Sequence, residues 1–254
     1  MNENNNNNIN LLVGATGITD TYIKYDIELS NFISLFFSII KDNDLGVILY
    51  GGTALNRGFF GEKQRLSVDL DLETNDNIRI VTDKLVMLLK SRNIFSEIHS
   101  GVNGLIITHA KNNVRIRIEL SKKKFAVKAQ KIDLIPLTNY LNFPSLITYG
   151  VMSYPLEYLM ARKLSALSRR LIYKDLYDTY MGLNIIKGNI LKRYVKVIEK
   201  DYDIIEATLY YLKKGILDRT DRFDYKNHIQ LKYRKSEEFM ANDISDKLEK
   251  LFNL

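Results

Sequence analysis

Two aspartates separated by a single residue are the part of this sequence best suited to chemistry. Asp69 and Asp71 lie in an alternating polar and apolar segment, SVDLDL. On a strand, both carboxylates point to one face, while Leu70 and Leu72 point into the core. Two like charges this close repel each other unless a cation lies between them. Mg²⁺ (or Mn²⁺) takes carboxylate oxygens together with substrate phosphates, so the pair predicts metal-dependent nucleotidyl transfer.

A pair of glycines precedes the aspartates and fits the same chemistry. The apolar residues 47–49 predict a strand that ends at Gly51 and Gly52, and Thr53 is expected to cap a short helix over residues 54–57. A backbone without side chains can approach a triphosphate closely, and a helix N-terminus offers N–H groups to phosphate oxygens. The glycines and the Thr53 hydroxyl are therefore predicted to bind the nucleotide.

A third carboxylate is expected from a neighbouring strand. Residues 113–121 alternate, which places Arg115, Arg117 and Glu119 on one face. Glu119 is the candidate third metal ligand, and Asp133 is the alternative. A cross-strand salt bridge between Glu119 and an arginine is an equally good interpretation.

Composition limits the remaining possibilities. The chain has 254 residues, 46% of them hydrophobic, and no cysteine, which excludes disulfides and thiolate metal sites. The net charge of +7 suits a phosphate-rich partner, but also a lysine-rich surface. The N-terminus does not resemble a signal peptide, and the apolar run near residues 32–40 is too short to span a membrane. A soluble cytoplasmic protein without membrane contact is expected.

The order of predicted elements indicates an α+β fold. Periodicity predicts helices at 20–41 and 76–91, and strands at 47–50, 68–73, 94–99, 104–109, 113–121 and 131–135. The later part is helical: 156–169, 173–184, 188–200, 203–214 and 237–252. The connection around residues 136–155 contains every proline of the chain and marks a domain boundary. We therefore expect a disordered Asn-rich tail (1–10), a catalytic domain (11–150) and a basic helical domain (151–254).

A second cluster of interest covers residues 154–180. Helical spacing places leucines on an apolar stripe and charged residues on more polar faces, the latter being Glu157, Lys163, Arg170 and Lys174. Asp175 and Asp178 are three residues apart and so share a helical face. Taken alone, the segment fits two amphipathic helices with surface ion pairs.

Together the two clusters resemble the AbiEii/MenT-type nucleotidyltransferase toxin family, a branch of the DNA polymerase β-like superfamily. The first cluster is similar to its GGTAL…R-x-S-x-D-h-D pattern (h, apolar), in Gly51, Gly52, Thr53, Ala54, Leu55, Arg65, Ser67, Asp69 and Asp71. The second is similar to E-x₅-K-L-x-A-L-x-x-R…[KR]-D-x-[YF]-D, in Glu157, Lys163, Leu164, Ala166, Leu167, Arg170, Lys174, Asp175, Tyr177 and Asp178. The resemblance covers roughly residues 45–185.

The resemblance implies a nucleotidyltransferase-fold head, a mixed sheet flanked by helices, followed by a C-terminal helical bundle. It implies Mg²⁺ on Asp69 and Asp71, and contact between Lys163 and the nucleotide phosphates. Asp178 or Asp175 would complete the site. The nucleotide-binding set would also include Arg65, Ser67 and Lys174.

The resemblance also implies a biological role. Family members act as the toxin of a toxin–antitoxin or phage-abortive system, and some transfer a nucleotide from an NTP to the 3′ ends of tRNAs. A cognate antitoxin would be the protein partner, and the basic helical half would suit a tRNA acceptor stem. Two alternatives remain open: a catalytically silent nucleotide- or RNA-binding module of the same fold, and a phosphotransferase that acts on a protein.

Overall fold

The computed structural model describes residues 17–67, 69–92, 95–101, 104–109, 115–141, 145–199, 203–215 and 228–254. These residues form two compact units, Asp20–Tyr154 and Pro155–Leu254, with residues 17–19 assigned to the second. The predicted Asn-rich tail lies outside the described residues. Within the described ranges, no helix has the length and apolar character needed to cross a membrane.

The first unit is built on a mixed sheet of seven described strands. They are β1 (Val47–Tyr50), β2 (Asp69–Thr74), β3 (Phe95–Gly101), β4 (Gly104–His109), β5 (Arg115–Lys122), β6 (Gln130–Leu134) and β7 (Thr148–Ser153). Their order is β3-β4-β5-β2-β1-β7-β6. The β2–β5 and β1–β7 pairs are parallel and the other pairs are antiparallel. Strand β2 is thus central and hydrogen-bonded on both sides.

The helices of this unit are α1 (Asp20–Asp42), α2 (Gly51–Phe59), α3 (Ile78–Lys90) and the short α4 (Leu137–Tyr140). Helix α1 forms because its apolar residues recur at helical spacing, and these residues are buried. The Asn77 side chain caps α3 by accepting hydrogen bonds from the first-turn N–H groups. Helix α2 packs on β1, β2 and β6, while α1 packs on β7 and α3 on β3 and β5.

The second unit is a bundle of helices. They are α5 (Leu156–Leu167), α6 (Tyr173–Leu183), α7 (Gly188–Ile198), α8 (Ile204–Lys214) and α9 (Glu237–Phe252). Helix α5 packs against α6, α7 and α8, and α9 packs against α6 and α8. Asp203 caps the start of α8, and Gly215 ends it in the left-handed conformation. Buried tyrosines, notably Tyr158 and Tyr177, fill the space between the helices.

The α+β prediction is confirmed, but the sequence misassigned one strand. Residues 148–153 read as part of a proline- and glycine-rich connection, whereas they form β7, between β1 and β6. The pairing with β6 is irregular between Ile132 and Leu134, and Gly150 has φ +67°. The irregularity breaks the period of two that identifies a strand, because bulged residues fall out of the alternation.

Candidate active site

The two aspartates lie on one face of the central strand β2. Leu70 and Leu72 are fully buried, while Asp69 and Asp71 are half-buried. Asp71 is opposite Tyr50 of β1 on one side and Glu119 of β5 on the other. The sheet therefore brings both carboxylates to one surface and fixes their spacing through pairing on both edges.

Gly51 allows the carboxylate of Asp71 to lie against the start of α2. A Cβ atom added to Gly51 would be 1.9 Å from Asp71 Oδ2. The residue also has φ +75°, in the left-handed region that favours glycine. The turn after β1 thus requires glycine for two separate reasons, one conformational and one steric.

Gly52 is approached in the same way by the segment that precedes β2. A Cβ on Gly52 would be 2.8 Å from Arg65 Nη2 and 2.9 Å from Ser67 Oγ. Arg65 is buried, its backbone N–H donates to Asn56 Oδ1 at 2.8 Å, and Asn56 Nδ2 donates to the Gly52 carbonyl at 2.9 Å. The predicted nucleotide-binding residues of this unit are therefore gathered around the first turn of α2.

Thr53 lies inside α2, so the prediction that it caps the helix is wrong. Helix α2 begins at Gly51, with Tyr50 at the N-cap position and no side-chain capping hydrogen bond. The Thr53 hydroxyl donates instead to the Asp69 carbonyl oxygen at 2.5 Å, and it is 3.1 Å from Ser67 Oγ. It attaches the helix to β2, and the first turn of α2 presents its N–H groups without a side-chain cap.

Glu119 and Asp133 are placed differently from each other. Glu119 forms an ion pair with an arginine, Arg117, but the two residues lie on the same strand rather than across strands as predicted, and both side chains remain accessible. Asp133 accepts a hydrogen bond from the Gly150 N–H at 2.9 Å on the edge strand β6. Three strand spacings separate β6 from β2, about 14 Å, so Asp133 cannot share an ion with Asp71.

The donor set on β2 is suited to a hard divalent cation. Among the described residues, no group of three or more His, Cys, Asp or Glu side chains could hold a metal ion. Mg²⁺ does not need such a group, since it binds through one or two carboxylates and completes its shell with substrate phosphates and water. Asp69 and Asp71 supply two carboxylates, and the role of Glu119 as a third ligand stays a prediction.

A buried ion pair that the sequence did not reveal joins α1 to α2, the helix whose first turn forms part of this site. Asp26 of α1 and Arg57 of α2 are 2.5 Å apart, and each side chain is 2% exposed. Arg57 Nη1 also donates to Ser30 Oγ, and Asp26 Oδ2 accepts from the backbone and hydroxyl of Thr138. Burial lowers the pKa of the Arg57 guanidinium, and the nearby Asp26 opposes that shift. The available signal was an aspartate at an apolar position of the predicted helix 20–41.

Tyr25 is a second residue that the sequence did not single out. It lies on α1, and its burial, followed by the carboxylate of Asp69, raises the pKa of the Tyr25 phenol to about 12. The phenol is therefore protonated at neutral pH. Its position near Asp69 makes it part of the surroundings of the acidic pair.

In the helical unit, the residues of the second cluster also come together. Lys163 Nζ lies 2.8 Å from Asp175 Oδ1 and 3.0 Å from Asp178 Oδ2. Arg170 Nε is 3.0 Å from the other oxygen of Asp175. Both aspartates are fully buried and Lys163 is 9% exposed, so the expectation of a polar face with surface ion pairs is wrong for these three residues.

The packing of α5 and the positions of the two aspartates on α6 explain this ion-pair network. Helix α5 packs against three other helices and is buried on more than one side, which encloses Lys163. Asp175 and Asp178 are one helical turn apart on α6 and both reach the same ammonium. Lys174 is half-buried on α6, and its predicted contact with the nucleotide stays a prediction, as do the nucleotide contacts of Lys163, Asp175 and Asp178.

Comparison with protein families places the chain. The family model described as "Nucleotidyl transferase AbiEii toxin, Type IV TA system" matches residues 39–250. The chain belongs to the AbiEii family. It is accordingly a nucleotidyltransferase toxin of the type IV toxin–antitoxin class, and the family implies an NTP substrate and an antitoxin partner.

Solved structures show the same fold. The nucleotidyltransferase toxin MenT4 of Mycobacterium tuberculosis H37Rv is similar with a TM-score of 0.64 and 13% identity, over 97% of this chain and 90% of that one. JHP933 of Helicobacter pylori is similar with a TM-score of 0.55 and 19% identity, over 89% of this chain and 92% of that one. No curated protein sequence matches the chain.

Proposed function

We propose that this AbiEii-family protein transfers a nucleoside monophosphate from an NTP to the end of an RNA, with a tRNA 3′ end as the expected acceptor, in a Mg²⁺-dependent reaction. The observation that carries the proposal is the position of the Asp71 carboxylate against Gly51. It joins an acidic strand face to an uncapped helix N-terminus. An NTP–metal complex needs both, because its phosphates are anionic and its cation seeks carboxylates.

Asp69 and Asp71 would hold the metal. When bound, Mg²⁺ neutralises charge on the phosphates and stabilises the attacking and leaving oxygens. The first-turn N–H groups of α2 bind phosphate oxygens, and the Ser67 and Thr53 hydroxyls lie at the same turn. The acceptor hydroxyl forms the new bond to the α-phosphorus and pyrophosphate leaves, a reaction in which protein groups mainly position and stabilise charge.

The chain holds its carboxylates in place before substrate arrives. The Thr53 hydrogen bond to the Asp69 carbonyl fixes β2 against α2. The buried Asp26–Arg57 pair fixes α2 against α1. Groups that are already in position need not reorganise during the reaction. This preorganisation is the main source of electrostatic catalysis.

Lys163 is proposed to meet the nucleotide phosphates, as the family resemblance implies. In support, the two buried aspartates form ion pairs of 2.8 and 3.0 Å with its ammonium and so restrict its position. The proposal of an RNA acceptor is supported by the net charge of +7 and a calculated pI of about 9.2.

The test is transfer of label from α-³²P-NTPs to total RNA by the parent protein and by Asp69→Asn and Asp71→Asn variants, with and without Mg²⁺. We expect each variant to lose transfer and toxicity while it remains folded, because the amide keeps the shape and removes the charge. Asp133→Asn is the matched control, since it changes a strand aspartate that lies about 14 Å from β2. Transfer by either β2 variant at the parent rate would refute the proposal.

The same assay separates the alternatives. A silent module would bind nucleotide without incorporating label into any acceptor. A protein phosphotransferase would add the mass of a phosphate rather than a nucleotide to a protein, which intact-mass spectrometry distinguishes. Glu119→Gln tests the prediction that Glu119 is a third metal ligand. If it is, the variant should have a lower apparent affinity for Mg²⁺ than the parent protein.

A further inference from the structure

A run of lysines in the sheet unit is not used by the site described above. Residues 122–131, here called the lysine segment, connect β5 to β6 and contain Lys122, Lys123, Lys124, Lys128 and Lys131. No acidic residue occurs between Glu119 and Asp133. Four of the five lysines are exposed and Lys123 is half-buried. The segment is therefore dense in positive charge and contains no carboxylate of its own.

The lysine segment is attached to the sheet rather than hanging from it. The Lys123 N–H donates to the Thr74 carbonyl of β2 at 2.9 Å, and Val127 is buried. Lys122 Nζ donates to the backbone carbonyls of Asn75 and Asp76. Carbonyl oxygens are neutral, so these bonds orient the ammonium without cancelling its charge. The ammonium of Lys122 is thus oriented, and an oriented group loses less entropy on binding a polyanion than a mobile one.

The segment starts close to the acidic face of β2. Lys123 Nζ lies 5.9 Å above the centre of the Tyr154 ring, and the Tyr154 hydroxyl donates to the Glu73 carboxylate at 2.6 Å. Glu73 is two residues beyond Asp71 on β2 and so shares its face. Lys122 is opposite Thr74, three residues or about 10 Å along the strand from Asp71, and alternation places it on the other face of the sheet. Lys123 is therefore the first lysine of the segment on the acidic side.

The segment ends beside an exposed apolar surface. Lys131 of β6 is opposite Met152 of β7, which is 38% exposed. Tyr149, near the start of β7, is 71% exposed. Tyr149 is three residues, or about 10 Å, along β7 from Met152, so a nucleic-acid strand of a few nucleotides that contacts Lys131 can also reach its ring. Lysines and an exposed aromatic ring within such reach are the combination that binds single-stranded nucleic acid, with phosphates on the cations and bases on the ring.

We infer that the lysine segment and Tyr149 form the surface that binds the backbone and an unpaired base of the acceptor nucleic acid. This inference rests on the proposed function, which makes RNA the polyanion that must reach β2. The surface lies in the sheet unit, whereas charge counted over the sequence favours the helical half. What distinguishes it is local density: five lysines within ten residues, with no carboxylate among them.

The test measures RNA binding separately from catalysis. Full-length protein carrying Asp69→Asn is titrated into a fluorescent single-stranded RNA and into tRNA, and anisotropy is read at several salt concentrations. The test variant adds Lys124→Gln, Lys128→Gln and Lys131→Gln. The control adds Lys41→Gln, Lys84→Gln and Lys90→Gln, which removes the same charge from exposed positions on α1 and α3.

Loss of three phosphate contacts lowers the slope of log affinity against log salt by about 2, and the affinity at about 0.15 M salt roughly 50-fold. The control triple should leave both quantities near the parent values. Tyr149→Ala should weaken binding at least about fivefold without changing the slope, because stacking involves no counterion release. Equal effects of the two triples, or none from the test triple, would overturn the inference.

Failure of this inference and failure of the proposed function give different results. If the function is wrong, the parent protein does not label RNA, whether or not it binds RNA. If only the inference is wrong, the parent does both and the test triple matches it. An unchanged RNA affinity together with loss of neutralisation by the antitoxin would assign the surface to an acidic protein and also overturn it. Circular dichroism of each variant confirms the fold before binding is compared.

Discussion

Replacing Gly51 by alanine should separate the position of the Asp71 carboxylate from the stability of the protein. The added Cβ would be 1.9 Å from Asp71 Oδ2 and 2.8 Å from its Cγ. Non-bonded carbon and oxygen atoms need more than 3 Å, so the carboxylate must move by more than about 1 Å. A misplacement of about 1 Å in a catalytic constellation costs on the order of 100-fold in rate.

The same substitution carries a backbone cost that a control must match. Alanine in the left-handed conformation costs about 1–2 kcal/mol, and Gly51 has φ +75°. Gly61 has φ +58° in the same unit, and a Cβ added there meets nothing closer than the Tyr140 hydroxyl at 3.9 Å. Gly61→Ala therefore imposes a similar conformational cost and displaces no carboxylate.

The assay is the initial rate of label transfer from α-³²P-NTP, normalised to the folded fraction from urea denaturation. We expect both variants to lose similar stability, Gly51→Ala to transfer label about 100-fold more slowly than the parent, and Gly61→Ala to match the parent. If Gly51→Ala transfers label within a few-fold of Gly61→Ala, the position of the Asp71 carboxylate does not govern the reaction, and the argument from the glycine turn is refuted.

Two further predictions concern the buried charges. Asp26→Ala should lower the free energy of unfolding by about 3–5 kcal/mol, because it leaves Arg57 buried without its carboxylate. In urea denaturation, the double variant Asp26→Ala/Arg57→Met should recover part of this loss. A double variant less stable than Asp26→Ala would contradict the reasoning. Lys163→Met should destabilise the protein more than Asp178→Asn. The former leaves the buried aspartates without their shared cation, whereas the latter keeps a hydrogen-bonding partner for Lys163. Equal denaturation midpoints would contradict a stabilising role for these ion pairs.

The sequence predicts those features whose signal is local. Alternation of apolar residues locates β2 and β5, and the spacing of three and four locates α1 and the five helices of the bundle. The acidic pair and the glycines are recognisable because their types and spacing match a known chemical arrangement. Each of these inferences needs only residues that are close in the chain.

The features that the sequence missed depend on contacts between distant residues. Strand β7 exists because β1 and β6 flank it, and its own pattern is broken at Gly150. Lys163 falls within the leucine stripe of α5, seven residues after Leu156 and four before Leu167, and the partners of its charge, Asp175 and Asp178, come from another helix. Asp26 reads as a misplaced charge until Arg57, thirty-one residues later, is brought to it. Helical periodicity locates a buried face, but it does not identify the distant residue that neutralises a charge on that face.

Strand β2 is held by hydrogen bonds from both β1 and β5 and cannot rotate. The face to which a side chain of β2 points is therefore determined by whether its position along the strand is odd or even. Inserting one residue within β2 would move the side chains on one side of the insertion to the opposite face, so that an acid there turns inward and a leucine outward. The same insertion between Gly61 and Gln64 would leave the count within the strand intact. The uninterrupted alternation of the six residues from Asp69 to Thr74 is thus what keeps both carboxylates on one face, and we expect toxin activity to depend on it.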